Sequence, residues 1–524
     1  MYIDPQSDTS TAGEYSPAEV ERTYRKVTFR LIPLLFMCYV ISYIDRVNIS
    51  FGKLQFMHDL GFSEATYGLG AGLFFIGYVL FEVPSNLWLQ RIGARRTLLR
   101  IMFAWGLVSS LMMFVRTPTQ FYAMRFLLGV TEAGFFPGMI YYLSCWFPGA
   151  RRARVTAFLM MATAVAGIIG GPMSGLIMAK LSNVAGLHGW QWLFLLEGAP
   201  ALTLGMLVFW LLGDAPADVR WLDERQKALI TRNILADEKS KVTGHLDGLR
   251  GALANPKVYL AALVYFAVLM PFNAIGFWAP TLIRDLGVAN VLDIGWLSAL
   301  IFIAAAVGTY VVGASSDRML ERRWHVAASA AVTAICFALL PAAGHSVVMG
   351  VGLLALAAAA SYGGFVVFWT IPQTFLPRSS AAGGIAMITS IGGIGGFVSP
   401  TFVGWIKAYT GSVRYGLIGL AVVLLAGVAL LLVAFPARGR AAAGFACRCR
   451  QQGRLALEGI VTAMGWRTLI SNRSAARQGF SKPSATDCMT LYLSNSRMLM
   501  RDRVRRSHRR LPRRKPGTGS AYAA

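Results

Sequence analysis

Twelve apolar runs recur between Phe29 and Phe435, each about 20 residues long and so able to cross a hydrocarbon core of about 30 Å. They cover approximately 29–50, 67–89, 97–115, 119–146, 154–180, 191–212, 258–283, 295–316, 325–343, 347–371, 380–406 and 414–435. A segment in lipid must satisfy its own backbone hydrogen bonds, and the alternating ten-residue pattern of a membrane barrel is missing, so the runs predict helices and exclude a β-barrel. Composition agrees, with 55% hydrophobic and only 14% charged residues, against roughly a quarter charged in soluble domains.

Lys and Arg set the expected orientation. Arg22, Arg25 and Lys26 precede the first run, Arg91, Arg95, Arg96 and Arg100 follow the second, Arg151, Arg152 and Arg154 follow the fourth, and Arg318, Arg322 and Arg323 follow the eighth. The alternate connections, with Lys53, Arg116, Lys180, Arg284 and Lys407, are poorer, which predicts both termini on the cytoplasmic side of an inner membrane. The first two dozen residues are polar and include Asp4, Asp8, Glu14 and Glu19, unlike a cleavable signal peptide. Six cysteines show no paired spacing, and Cys447-Arg-Cys449 has no partner cluster for zinc.

The chain repeats itself. Asn86-Leu-Trp-Leu-Gln-Arg91-Ile-Gly93-Ala-Arg95-Arg96 returns as Gly313-Ala-Ser-Ser-Asp317-Arg318-Met-Leu-Glu-Arg322-Arg323, 227 positions on, and Gly167-Ile-Ile-Gly170-Gly171 returns as Gly392-Gly-Ile-Gly395-Gly396, 225 positions on. Offsets that agree between unrelated kinds of segment indicate duplicated halves, a common design of secondary transporters. The expected organisation is a tail at 1–28, a six-helix bundle at 29–212, a polar central loop at 213–257 whose Pro216 region can open a short surface helix, a second six-helix bundle at 258–435, and an extension at 436–524. Gly167, Gly171 and Gly175 are spaced for close helix contact.

These residues resemble the major facilitator superfamily from Val27 to Phe435. The repeated loop is similar to its Gly-x-x-x-Asp-Arg-x-Gly-Arg-Arg signature, with Asn86 and Gln90 replacing Gly and Asp in the first copy. Arg125-Phe-Leu-Leu-Gly129-Val-Thr-Glu132-Ala-Gly134-Phe-Phe-Pro137-Gly138 resembles the signature of the anion:cation symporter branch. Tyr43-Ile-Asp45-Arg46-Val-Asn48, Phe81-Glu82-Val-Pro84-Ser85-Asn86, Trp190-Gln-Trp192-Leu-Phe-Leu-Leu-Glu197-Gly198 and Phe368-Trp369-Thr370-Ile-Pro372 support it. The resemblance implies an all-α membrane fold of two pseudo-symmetric six-helix bundles that imports small organic acids such as sugar acids, tartrate or phthalate, by proton symport in many members and by sodium coupling or facilitation in others. Ile388-Thr389-Ser390-Ile391-Gly392-Gly393 departs from the asparagine-bearing eleventh helix of sugar-acid members. A site that recognises hydroxyls needs matched polar partners, so tartrate-like or aromatic dicarboxylates are favoured.

Ionisable groups inside a membrane are costly and mark substrate or ion paths by default. Asp45, Arg46, Glu82, Arg125 and Glu132 qualify, all in the first half. Arg125 and Glu132 are seven apart, on one helix face and about 10 Å apart along the axis. Arg46 and Arg125 offer the positive field and forked donors that suit a carboxylate, and Asp45 and Glu132 are candidate proton carriers. The alternative is a set of structural ion pairs, Asp45 with Arg125 or Glu132 with Arg46. Glu82 is a candidate gate residue pairing with loop arginines, together with Arg91, Arg95, Asp317 and Arg318. Tyr43, Tyr78, Trp278, Phe368 and Trp369 are candidate pocket aromatics, and Asn273, Thr370 and Ser390 candidate hydrogen-bonding groups.

No phosphate loop, metal-ligand cluster or nucleophile triad is visible, so neither an ATP-driven pump nor a membrane enzyme is expected, and no cofactor or metal. The expected partners are a small organic anion, a proton and membrane lipid, with the chain a monomer and no nucleic acid bound. Segment 437–524 carries nineteen Lys or Arg against three acidic residues, a charge pattern that could bind anionic lipid or nucleic acid by charge alone. It is foreign to the resembled family and reads as a disordered or non-native extension. A facilitative or exchange carrier on the same fold, and a membrane sensor or tethering protein using that tail, are the competing functions.

Overall fold

Short polar residues at the ends of the apolar runs start the helices. Ser16, Ser63, Asn255, Ser346 and Ser412 each accept a backbone N–H from the first turn, and Thr117 and Gln120 form a reciprocal capping box. The computed structural model describes residues 15–239, 253–319, 321–376 and 381–435.

Among these residues twelve helices are long and apolar enough to cross a membrane, as expected for an all-α membrane fold. They are α1 (Pro17–Leu60), α2 (Glu64–Leu89), α3 (Ala94–Phe114), α4 (Pro118–Ser144), α5 (Arg154–Lys180), α6 (Gly189–Leu211), α7 (Pro256–Asp285), α8 (Val291–Met319), α9 (Arg323–Ala343), α10 (Val347–Phe368), α11 (Gly383–Thr410) and α12 (Val413–Ala434). The expectations for the basic extension, and for parts of the amino-terminal tail and central loop, fall outside the described residues.

α1 is longer than its apolar run. Asn48 keeps helical angles, so the chain continues through Ile49–Leu60, and Lys53 lies in a buried helical turn where the sequence suggested a loop. Lys407 likewise falls within α11. Between α6 and α7 the helix Glu224–Lys239 returns to the start of α1, where Arg225 meets Glu19 at 2.7 Å, and just ahead of that helix Trp221 stacks on Trp146, which follows α4.

The duplication is visible in the packing. In the first half α1 packs on α5, α2 on α4 and α3 on α6; six helices later α7 packs on α11, α8 on α10 and α9 on α12. Gly170 of α5 faces Ile44 of α1, and Gly395 of α11 faces Phe266 of α7. The halves meet through α2 against α11 and α5 against α8, again a related pair of contacts.

Those contacts need glycine. A Cβ on Gly171 of α5 would lie 2.7 Å from the Gly295 carbonyl of α8, and one on Gly68 of α2 would lie 2.9 Å from Gly404 Cα of α11. Small residues allow such backbone approach where no hydrophobic force separates lipid from protein contacts. The outward faces bear Trp210, Val348, Tyr409 and Val433, largely exposed apolar side chains whose solvent is the acyl chain.

Candidate functional site

Helix α4 is broken in its middle. Its first part ends at Glu132, Gly134 takes φ +88°, and a second helical part starts at Phe135. Only glycine adopts that angle without steric cost, and a Cβ there would come within 2.5 Å of Ser85 Oγ. The break exposes helix ends inside the membrane, a device by which transporter folds bring polar groups to the middle of the bilayer.

At the break Glu132 is buried. It forms an ion pair with Arg46 of α1 and accepts a 2.9 Å hydrogen bond from Ser42 Oγ. Of the two pairings open on sequence grounds, Glu132 with Arg46 is present. Asp45 and Arg125 form no ion pair among the described residues, because Asp45 turns to different neighbours around α1. There it accepts from Trp105 Nε1 at 2.7 Å, Asn48 Nδ2 at 3.1 Å and Ser109 Oγ.

Arg125 has no accessible surface. Its Nε donates to the Gly70 carbonyl at 3.4 Å, and Nη2 has no hydrogen-bond partner among the described residues. Phe74 lies between the two arginines, its centroid 5.1 Å from the Arg46 guanidinium carbon and 5.2 Å from that of Arg125. Tyr43 and Tyr78 also pack on Arg46, at 6.0 and 5.5 Å. Aromatic faces stabilise a cation without neutralising it, so Arg125 keeps its attraction for an anion, while the charge of Arg46 is met by Glu132.

The second half supplies rings. Tyr265 packs on Phe368 and Trp369, and Phe272 on Tyr362 and Phe365. Thr370 Oγ1 and Asn273 Nδ2 donate to carbonyls of their own segments, Val367 and Leu269. Ser390 is half-buried in α11. Trp278 is not beside the arginines. It is fully buried at the end remote from the termini, with Lys53 Nζ 3.8 Å above its ring.

The expected gate residues occupy the end that carries the termini. Glu82 forms no hydrogen bond or ion pair with Arg91 or Arg95 among the described residues; Arg95 instead donates its backbone N–H to Asp214 at 2.8 Å and lays its guanidinium on Phe209. Asp317 pairs with Arg322 of its own half at 2.5 Å, and Arg318 is exposed.

Sequence reasoning missed Ser42, Phe74, Trp105 and Ser109, which are ordinary helix residues until folding brings them to the charges. It also passed over Glu197 of α6, quoted only as part of a motif. Glu197 is buried, accepts from Ser174 Oγ at 2.7 Å and leaves Oε2 without a partner. A charged residue in an apolar run was the available signal. Tyr362, with an unpartnered buried hydroxyl, stood in an Ala/Gly-rich run and gave none.

The chain is 45% identical over 416 residues to the putative metabolite transport protein NicT of Pseudomonas putida, covering 79% of this chain and 94% of that one. It is 43% identical over 412 residues to a putative tartrate transporter of Agrobacterium vitis, covering 79% and 91%. Its fold is similar to the crystal structure of a bacterial homolog of the human lysosomal transporter Spinster, with TM-score 0.64 and 18% identity over 78% of this chain and 97% of that one. Residues 35–400 match the Major Facilitator Superfamily. A duplicated bundle of twelve membrane-length helices, charged at the middle of one half, is therefore a multi-pass membrane transporter and not an enzyme, and the chain belongs to that superfamily.

Proposed function

We propose that the protein imports a small organic anion by proton symport and alternating access. The observation that carries this reading is Arg125, a fully buried cation with Nη2 unpartnered, facing the same ring as Arg46. A buried guanidinium with an unsatisfied donor is costly; a carboxylate bound by its fork removes that cost. The tartrate transporter named among its relatives is consistent with such a cargo. The aromatic second half and the sparse amides of α11 favour a tartrate-like or aromatic dicarboxylate over a sugar acid.

Glu132 competes with the substrate for Arg46. Ionised, it holds the guanidinium; protonated, it releases Arg46 to a second substrate carboxylate. Loading a proton and loading an anion thus favour one another, which is the coupling a symporter needs. Asp45, held by three donors, is the second candidate carrier.

With both termini cytoplasmic in an inner membrane, the packed end is periplasmic and this state faces inward. Glu82, Arg91, Arg95, Asp317 and Arg318 then stand at the cytoplasmic end and are proposed to form cross-half pairs when the protein faces outward. The proposed working unit is a single chain.

Uptake of labelled tartrate, phthalate and gluconate into liposomes, with and without an inward proton gradient, tests the reading. Gradient-dependent accumulation of a dicarboxylate is expected. Equilibration without accumulation would favour a facilitative carrier, and no uptake of any organic acid would overturn the proposal.

A further inference from the structure

Four charged residues close the end remote from the termini, and all escape the central mechanism. Lys53 of α1 lies 2.6 Å from Glu64 of α2. Glu64 uses its other oxygen to meet Lys407 of α11 at 3.0 Å, and Lys407 also reaches Asp285 of α7 at 3.3 Å. The order along the chain of contacts is Lys53, Glu64, Lys407, Asp285, with alternating sign and no net charge. Lys53 is buried under Trp278 and Tyr67, and Lys407 is only 11% exposed.

The partition between halves is what gives the arrangement a use. Lys53 and Glu64 belong to the first half, and Lys407 and Asp285 to the second. Only the central contact, Glu64 with Lys407, crosses. If the halves separate at this end, that one ion pair breaks while every charge retains a counterion on its own half. A buried pair with no local alternative would leave two bare charges and oppose opening by a large desolvation cost. Here the ionic cost is limited to one pair, beside the seat of Lys53 on Trp278 and the hydrogen bonds Arg284 Nη1 to the Leu54 carbonyl, Tyr67 Oη to the Phe277 carbonyl and Thr401 Oγ1 to the Gly68 carbonyl.

We propose that Glu64 is a positioning residue of a reversible latch, holding this end shut through Lys407, while Lys53 and Asp285 are the local counterions that let it open. The inference rests on the alternating-access reading and adds to it the residues that set the balance between the two states. It makes a sign prediction that general structural damage does not. Neutralising either member of the crossing pair favours the open state. Neutralising Asp285 favours the closed state, because Lys407 then loses its only partner when the halves part but keeps Glu64 when they meet.

The test uses Ser298→Cys in full-length protein whose six native cysteines have been replaced. Ser298 is buried on α8, its Cβ 3.4 Å from where Gly171 of α5 would carry one, so a membrane-impermeant maleimide applied from the Lys53 side reaches it only when this end opens. Glu64→Gln and Lys407→Gln should each raise the labelling rate on the order of tenfold, the scale of one charge-assisted bond, and the double variant no further than either alone. Asp285→Asn should lower the rate below that of the parent. Rates that rise in all three variants, or that add in the double variant, would overturn the latch. A parent that is never labelled from this side would instead refute alternating access, a separate failure.

Discussion

If Glu132 carries the proton as proposed, replacing it by Gln isolates the coupling step. The amide keeps the shape of the side chain and can still accept from Ser42 Oγ, now 2.9 Å from the carboxylate, but it cannot hold Arg46 by charge or release a proton. For one proton per substrate, each unit of pH difference contributes about 1.36 kcal/mol, or roughly tenfold accumulation. In liposomes with an imposed gradient of two units, the parent should accumulate substrate about a hundredfold at its limit and Glu132→Gln should only equilibrate it. Exchange of labelled for unlabelled substrate should survive, because exchange need not release the proton. Binding supplies a second readout. With Arg46 no longer held by a carboxylate, the variant should bind the substrate at least as tightly as the parent. Unchanged uphill accumulation would remove Glu132 from coupling, and loss of binding with exchange would make the Arg46 pair structural.

Arg125→Lys keeps the charge but replaces a planar fork by a point donor, so affinity in a direct binding assay should drop by about tenfold or more, the worth of a charged hydrogen bond. Asp45→Asn keeps the acceptor facing Trp105 Nε1 and should reduce accumulation while leaving the melting temperature close to the parent's. Gly134→Ala puts a side chain at φ +88° and against Ser85, a strain of about 1–2 kcal/mol, read as a lower melting temperature in detergent.

Helix number and type were legible because lipid imposes both an apolar length and a closed hydrogen-bond pattern on every span. The duplication was legible because two segments kept one offset, and it reappears as α1 on α5 mirrored by α7 on α11. The central charges were legible because a membrane makes them conspicuous. What stayed hidden was partner choice. Asp45 and Arg46 are neighbours in sequence but face different neighbours around α1, one Trp105 and the other Glu132, and no spacing rule assigns those partners. Lys53 and Lys407 looked like ordinary loop cations, since their burial depends on α1 and α11 running past their apolar cores.

The uneven charge distribution between halves bears on how an empty carrier can return. Arg46 and Glu132 neutralise each other in the first half without help from the second. Asp45 is likewise satisfied by Trp105, Asn48 and Ser109 of its own half, while the facing rings of α7 and α10 ask for no charge at all. Separation or closure of the halves therefore breaks no ion pair at the centre. The same rule holds at the Lys53 end, where one crossing contact is backed by a local counterion on each side. Arg125 is the exception, with Nη2 unpartnered. On the proposed symport reading, an anion bound there without a proton brings its own charge but leaves Glu132 holding Arg46, and the doubly loaded site frees both guanidinium groups for the substrate. Coupling on this view is a matter of which charges have partners within one half, and the partner that Arg125 lacks is the one the substrate brings.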